Sequence, residues 1–180
     1  MNDRLISVES REDILPQYVG TPIAKLLEYH NLGREFDTYT QAEMLIGMCM
    51  DNRKHLHIPE NFAFILRAGG ANLRPSEFKV SYAIAVGGAR AIALLGHTQC
   101  GMVNLMGRKD AFVEGLIEVG WERGAAEDHF YHYWPMFEIG NEEAFVMAEA
   151  ARLRLRYPHI PVAPMIYRVE DNRLYLLRED

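Results

Sequence analysis

Three short apolar runs, each followed by a turn signal, constrain this chain more than any other feature. Met44, Leu45, Ile46 and Met48 fall in a nearly unbroken apolar stretch from Ala42 to Met50, bounded by Asp51 and Asn52. A strand buried on both faces reads this way, whereas a strand with one wet face alternates. Phe62 to Leu66 is a second run, ending in Arg67-Ala68-Gly69-Gly70, where glycine permits a tight turn. Ala91 to Leu95 is the third. Between the last two, Ser76 stands at a cap position before a helix read over Lys79 to Ala89, with Val80, Ala83, Ile84 and Val86 apolar and Gly87-Gly88 as the stop. Strand, helix and strand in that order form a crossover, and crossovers build parallel sheets. The expected class is α/β, a mostly parallel central sheet flanked by helices.

The remainder fits around that sheet. Val162 to Val169, a turn at Glu170-Asp171-Asn172, and Leu174 to Leu177 predict a C-terminal antiparallel hairpin. Residues 102 to 157 read as mostly helical, broken near Gly107, Gly120, Gly124 and Gly140. Residues 1 to 32, with Ile23, Leu26 and Leu27 at helical spacing before Asn31-Leu32-Gly33, predict an N-terminal helical arm. A length of 180 residues suits one domain, 1–180, and the chain shows neither linker nor internal repeat.

Charge and cysteine count narrow the function. Nineteen Lys+Arg against 25 Asp+Glu give a net charge of -6, the wrong sign for a phosphate-binding surface, so nucleic acid is not an expected partner. No apolar run nears the roughly 18 residues a membrane span needs, and the N-terminus is charged where a signal peptide is apolar. The expectation is a cytoplasmic protein with no membrane partner. Two cysteines, Cys49 and Cys100, are too few for a disulfide scaffold and leave ligands, nucleophiles or inert core residues as their roles.

Their neighbours favour ligands. Cys49 closes the first apolar run, and the third runs straight into Gly96-His97-Thr98-Gln99-Cys100-Gly101. Ligands of open α/β sheets gather beyond the carboxyl ends of strands, where Cys49, His97 and Cys100 can converge. Two thiolates and an imidazole fill three positions of a tetrahedral zinc site and leave the fourth for water or substrate. Asp51 and Arg53 follow Cys49 at spacings of two, so all three can share one side of an extended segment. A guanidinium that binds a carboxylate through two hydrogen bonds fixes its orientation and keeps it ionised. Beside a metal, that carboxylate can accept a proton from activated water and aim its lone pair at an electrophile. Asp51 bound to the metal as a fourth ligand is the alternative, and gives a closed site.

Cys-x-Asp-x-Arg followed by Gly-His-x-x-Cys-Gly resembles the β-class carbonic anhydrases. The Arg67-Ala68-Gly69 turn is similar to the family's Arg-Asn-Ala-Gly stretch, Ser81 to Gly101 to its helix-strand-ligand unit, and Pro161 to Leu174 to its C-terminal strand and turn. Ala68 replaces the family's asparagine, and Ile46 stands where a bicarbonate-regulated subgroup carries tryptophan. The resemblance implies one Zn²⁺ per subunit on Cys49, His97 and Cys100, a catalytic dyad of Asp51 and Arg53, and hydration of carbon dioxide to bicarbonate. It also implies a homodimer or an oligomer of dimers, with the N-terminal arm wrapped on the partner. Carbonyl sulfide or carbon disulfide is the alternative substrate, and a non-catalytic zinc protein the alternative class.

Other features read as ordinary. His55 and His57 are loop histidines. Trp134 with Phe130, Tyr131, Tyr133 and Phe137 is expected to form core or subunit interface rather than a pocket. Arg152, Arg154 and Arg156 suit the C-terminal end of a helix.

Overall fold

The computed structural model describes residues 4–179. Six strands, β1 (Leu5–Ile6), β2 (Met44–Met48), β3 (Ala63–Arg67), β4 (Ile92–His97), β5 (Val162–Arg168) and β6 (Arg173–Leu177), form one sheet in the order β1-β6-β5-β4-β2-β3. The helices are α1 (Pro22–Leu32), α2 (Glu77–Ala85), α3 (Lys109–Glu118), α4 (Arg123–Phe137) and α5 (Glu142–Arg156). β3, β2, β4 and β5 are mutually parallel, while β6 pairs antiparallel with β5 and with β1. This is the mostly parallel α/β sheet with a C-terminal hairpin that the apolar runs predict.

The alternation of side chains along β2 and β4 divides the core in two. Met44, Ile46, Met48, Ala93 and Leu95 pack with Ile23, Leu26 and Leu27 of α1. Leu45, Ile92 and Leu94 pack on the other face with Val80 of α2 and with Val146, Ala150 and Leu153 of α5. Every residue of β2 and β4 named here is fully buried, which explains runs without polar interruption. β3 is different: it lies at the sheet edge with Phe64 and Ile65 exposed.

The N-terminal segment departs from the expected helical arm. Its first three residues lie outside the described residues. Of the rest only Pro22–Leu32 is α-helical, started by Thr21, whose hydroxyl accepts the Ile23 N–H, and stopped by Gly33 at φ 66°. β1 and two 3₁₀ turns precede it, and Val8, Ile14 and Tyr18 are buried within this chain. Apolar side chains ahead of the helix found partners on the sheet, and pairing with β6 outweighed helix formation over Leu5–Ile6. Smaller shifts occur elsewhere. α2 begins at Glu77 and ends before Gly87-Gly88, and the Ser76 side chain makes no capping bond. Gly124 is inside α4 rather than at a break.

Candidate metal centre

β2 and β4 are adjacent and parallel, with Met48 opposite Leu95, so their carboxyl ends place Cys49 and His97 side by side. The third apolar run continues as strand to His97 itself, and the chain then turns sharply through Thr98 and Gln99, the latter at φ 58°, to return Cys100 to the same spot. Thr98 and Gln99 both bond Glu170, from the turn between β5 and β6, at 2.7 and 2.9 Å. That carboxylate holds the strained turn in place.

Cys49, His97 and Cys100 are all buried, and one ligand atom from each lies within 4.8 Å of the other two. Both cysteines are free thiols, with Sγ atoms 4.0 Å apart. Two thiolates on one tetrahedral zinc, each at about 2.3 Å, stand about 3.8 Å from each other, so the separation suits a shared ion. The histidine supplies the sharper test. Its Nδ1 lies 2.9 Å from the Thr98 carbonyl oxygen, which can only accept, so Nδ1 carries the proton. Nε2 is then a bare lone pair, fully buried and without a hydrogen-bond partner. A buried acceptor left unmatched costs about 1–3 kcal/mol, and a metal ion at this point removes the deficit. The donor set fits zinc.

The two thiols influence each other. A hydrogen bond from Cys100 stabilises a thiolate at Cys49, aided by the Gly70 N–H at 3.3 Å, while Cys100 is pushed up by the same bond and by burial. Cys100 N–H donates to Glu142, the first residue of α5, at 3.1 Å.

Asp51 stands outside this ligand cluster, held by Arg53. The guanidinium Nε and Nη2 donate to the two carboxylate oxygens at 3.0 and 2.8 Å, and the Arg53 N–H adds a third bond at 2.9 Å. These bonds, chiefly the side-chain ones, draw the Asp51 carboxyl well below the usual carboxylate range against the opposing effect of burial. Arg53 also donates to the Gln99 side chain and backbone carbonyl at 3.2 and 3.1 Å, tying the dyad to the turn between His97 and Cys100.

Lys54, which sequence reading missed, and Arg67 complete the surroundings. Lys54 is buried and donates to the Asp51 carbonyl at 3.1 Å. Arg67, at the end of β3, donates to the carbonyls of Cys49, Asp51 and Lys54 at 3.4, 3.3 and 3.3 Å. Together they fasten the loop after β2. The Arg67 turn was legible as family-like, but nothing in a polar loop marks a lysine as buried. His55 and His57 take no part in the ligand cluster; the His57 ring lies against Phe36.

The aromatic cluster of α4 divides: Phe130 is buried, as a core residue is, while Tyr131 and Tyr133 are exposed on the single chain. Phe130, Trp134 and Phe137 line a cleft of about 380 Å³ together with Met50, Met102 and Leu105. Helical spacing places these rings on one side, but only the packing of α3 and α4 decides that they border a void. The arginines of α5 behave as expected, in ion pairs within the chain: Arg152 with Glu77 and Glu149, Arg154 with Glu179.

No family model matches the sequence, and no curated protein matches it. Solved structures do match. A β-carbonic anhydrase, isoform I, from Trichomonas vaginalis is similar with a TM-score of 0.63 at 16% identity, over 81% of this chain and 87% of that one. A carbonic anhydrase from Streptococcus mutans gives 0.61 at 21%, over 92% and 100%. A carbon disulfide hydrolase gives 0.55 at 19%, over 78% and 80%. At such identities the likeness is one of architecture, and the fold of this chain is that of the β-carbonic anhydrases.

Proposed function

We propose that this chain is a zinc-dependent carbonic anhydrase of the β class, hydrating carbon dioxide reversibly to bicarbonate. The observation that carries the reading is the buried Nε2 of His97, unpartnered between two thiols and beside a carboxylate that Arg53 fixes. Cys49, His97 and Cys100 would hold one Zn²⁺ per subunit. In that set zinc supplies Lewis acidity, which makes water a usable nucleophile near neutral pH.

The chain's own groups do the remaining work. Asp51, ionised and oriented by Arg53, accepts a hydrogen bond from the attacking water at a carboxylate oxygen and so directs the water's lone pair toward the substrate carbon. Arg53 keeps both carboxylate oxygens occupied, which holds Asp51 away from the cysteines and preserves a free coordination position. The Thr98 carbonyl keeps the His97 proton on Nδ1, and the Gly70 N–H spreads the negative charge of Cys49. Apolar side chains of Met102, Val103 and Phe145 pack around the cysteines and limit water there.

No described helix is long and apolar enough to cross a membrane. Two free thiols suit a reducing, cytoplasmic setting. The exposed Phe64 and Ile65 of edge strand β3, with Phe78 and Tyr82 of α2, support a homodimer. Sedimentation at micromolar concentration tests it.

Stopped-flow carbon dioxide hydration by zinc-loaded protein at about pH 8.5, above the ionisation near 7 expected for activated water, tests the activity. Asp51→Asn is expected to lower kcat about 100-fold or more with zinc content unaltered, within the range of a lost preorganised hydrogen bond. A rate equal to buffer in the wild-type chain sinks the reading. The apolar cleft favours carbon disulfide or carbonyl sulfide as second substrates, which sulfide release detects. Zinc without any turnover leaves a non-catalytic zinc protein.

A further inference from the structure

Beside the cysteines there is more room than a triatomic substrate needs. The cleft holds about 380 Å³, whereas an apolar cavity of about 150 Å³ already takes up benzene. None of its lining residues is a carboxylate, an ammonium or a guanidinium; beyond apolar groups it offers the His129 and Tyr133 side chains and the Trp134 indole. An ionic ligand finds no counter-charge there, and an uncharged aromatic one finds rings and thioethers.

Three connections join the cleft to the metal-ligand cluster. Met50, in its wall, directly follows Cys49. Gly69 lines it, while the next residue, Gly70, donates its N–H to Cys49 Sγ. Met102 lines it and packs against Cys49, Cys100 and Ile139. A Cβ at Gly69 would stand 3.0 Å from Met102 Sδ and 3.4 Å from the Phe137 ring, so glycine there lets both walls close on the turn.

We propose that the cleft receives the substituent of an organic isothiocyanate, R–N=C=S with R aryl or aralkyl, whose central carbon the neighbouring site hydrates. The proposal rests on the carbonic anhydrase reading and extends it. That carbon, like the carbon of carbon dioxide, is an uncharged linear centre between two heteroatoms; only the substituent requires the additional apolar volume. The water oxygen bonds to carbon as the C=N π bond breaks, and nitrogen takes one proton to give a thiocarbamic acid. The C–N bond then breaks, nitrogen takes the remaining proton from oxygen, and the products are the amine and carbonyl sulfide. Water supplies every added atom, and no redox partner is required.

The test offers benzyl isothiocyanate to the full zinc-loaded chain and follows benzylamine and carbonyl sulfide, with carbon dioxide hydration measured in parallel. Many equivalents of amine per chain are expected. Leu105→Trp, which fills the cleft, is expected to lower kcat/KM for the isothiocyanate at least tenfold relative to that for carbon dioxide. Met50→Trp, at a position 65% exposed, serves should Leu105→Trp misfold. Toluene is expected to perturb tryptophan fluorescence in the wild-type chain, where Trp134 lines the cleft, a readout independent of turnover. Carbon dioxide hydration with no amine release and no toluene response overturns this proposal alone. Consumption of one or two equivalents, with the mass of an adduct on Cys49 or Cys100, also overturns it, because that is thiol addition. Loss of carbon dioxide hydration as well places the failure in the reading beneath it.

Discussion

The Lys54 ammonium, its side chain fully buried, stands 3.1 Å from the Asp51 carbonyl oxygen and 3.8 Å from the Asp51 carboxylate. Burial pulls its pKa down, and the negative groups at Cys49 and Asp51 push it back up. With Arg53 committed to Asp51, Lys54 is a buried cation placed to balance the thiolates. Lys54→Met leaves the Asp51 carbonyl without its donor and the negative groups without their buried cation, so the metal-free chain is expected to lose about 1–3 kcal/mol of stability. Carbon dioxide hydration is expected to fall at least tenfold in kcat/KM, about 1.4 kcal/mol. Urea denaturation of the metal-free chain together with stopped-flow rates checks both; an unaltered rate rejects the electrostatic role.

Cys100→Ser keeps size and loses the ionisable sulfur. Serine hydroxyl stays protonated at neutral pH, so the variant is expected to purify with well under stoichiometric zinc. Removing zinc from the wild-type chain with a chelator is expected to lower its melting temperature, because a ligand that binds only the folded state stabilises it and because Nε2 of His97 is again left unpaired. Metal analysis and calorimetry decide; full zinc in Cys100→Ser rejects the ligand assignment.

His30 makes the fold sensitive to acid. Its Nδ1 accepts the His57 N–H at 3.0 Å and its Nε2 pairs with the Asn172 carbonyl at 2.9 Å, an arrangement that only the neutral ring satisfies. Burial, with smaller contributions from His57 and Arg173, lowers its pKa below the ordinary 6.5, against the pull of the Asn172 carbonyl. The unfolded chain therefore binds the proton more readily. This contribution to stability is complete above about pH 6.5 and is lost as pH falls from there through the lower folded value. Urea midpoints at about pH 7.5 and 5.5 are expected to differ more in the wild-type chain than in His30→Gln; equal differences remove His30 as the cause.

Much of this was legible in the sequence because burial on both faces leaves an uninterrupted apolar run, which marks β2 and β4 directly. The ligand set was legible for the same reason: Cys49 and His97 stand where those runs stop. What the runs did not carry was tertiary placement. Leu5 and Ile6 gave no sign that they would pair with β6, since a two-residue strand has no period. Lys54 sits among polar residues and becomes buried only when Arg67 closes the loop. The rings of α4 bear the same periodicity whether they meet a neighbour or border a cleft.

Gly96 stands in the middle of this arrangement. A Cβ there would lie 2.7 Å from Val146 Cγ2 and 2.9 Å from Ile166 Cδ1, so its bare backbone is what lets α5 settle on β4. The first residue of that helix, Glu142, accepts the Cys100 N–H. The clearance between a helix and a strand therefore reaches the sulfur. Anyone grafting Cys49, His97 and Cys100 onto another parallel sheet would have to graft that clearance too, because a scaffold with alanine at the equivalent of Gly96 would carry the right donors at the wrong height.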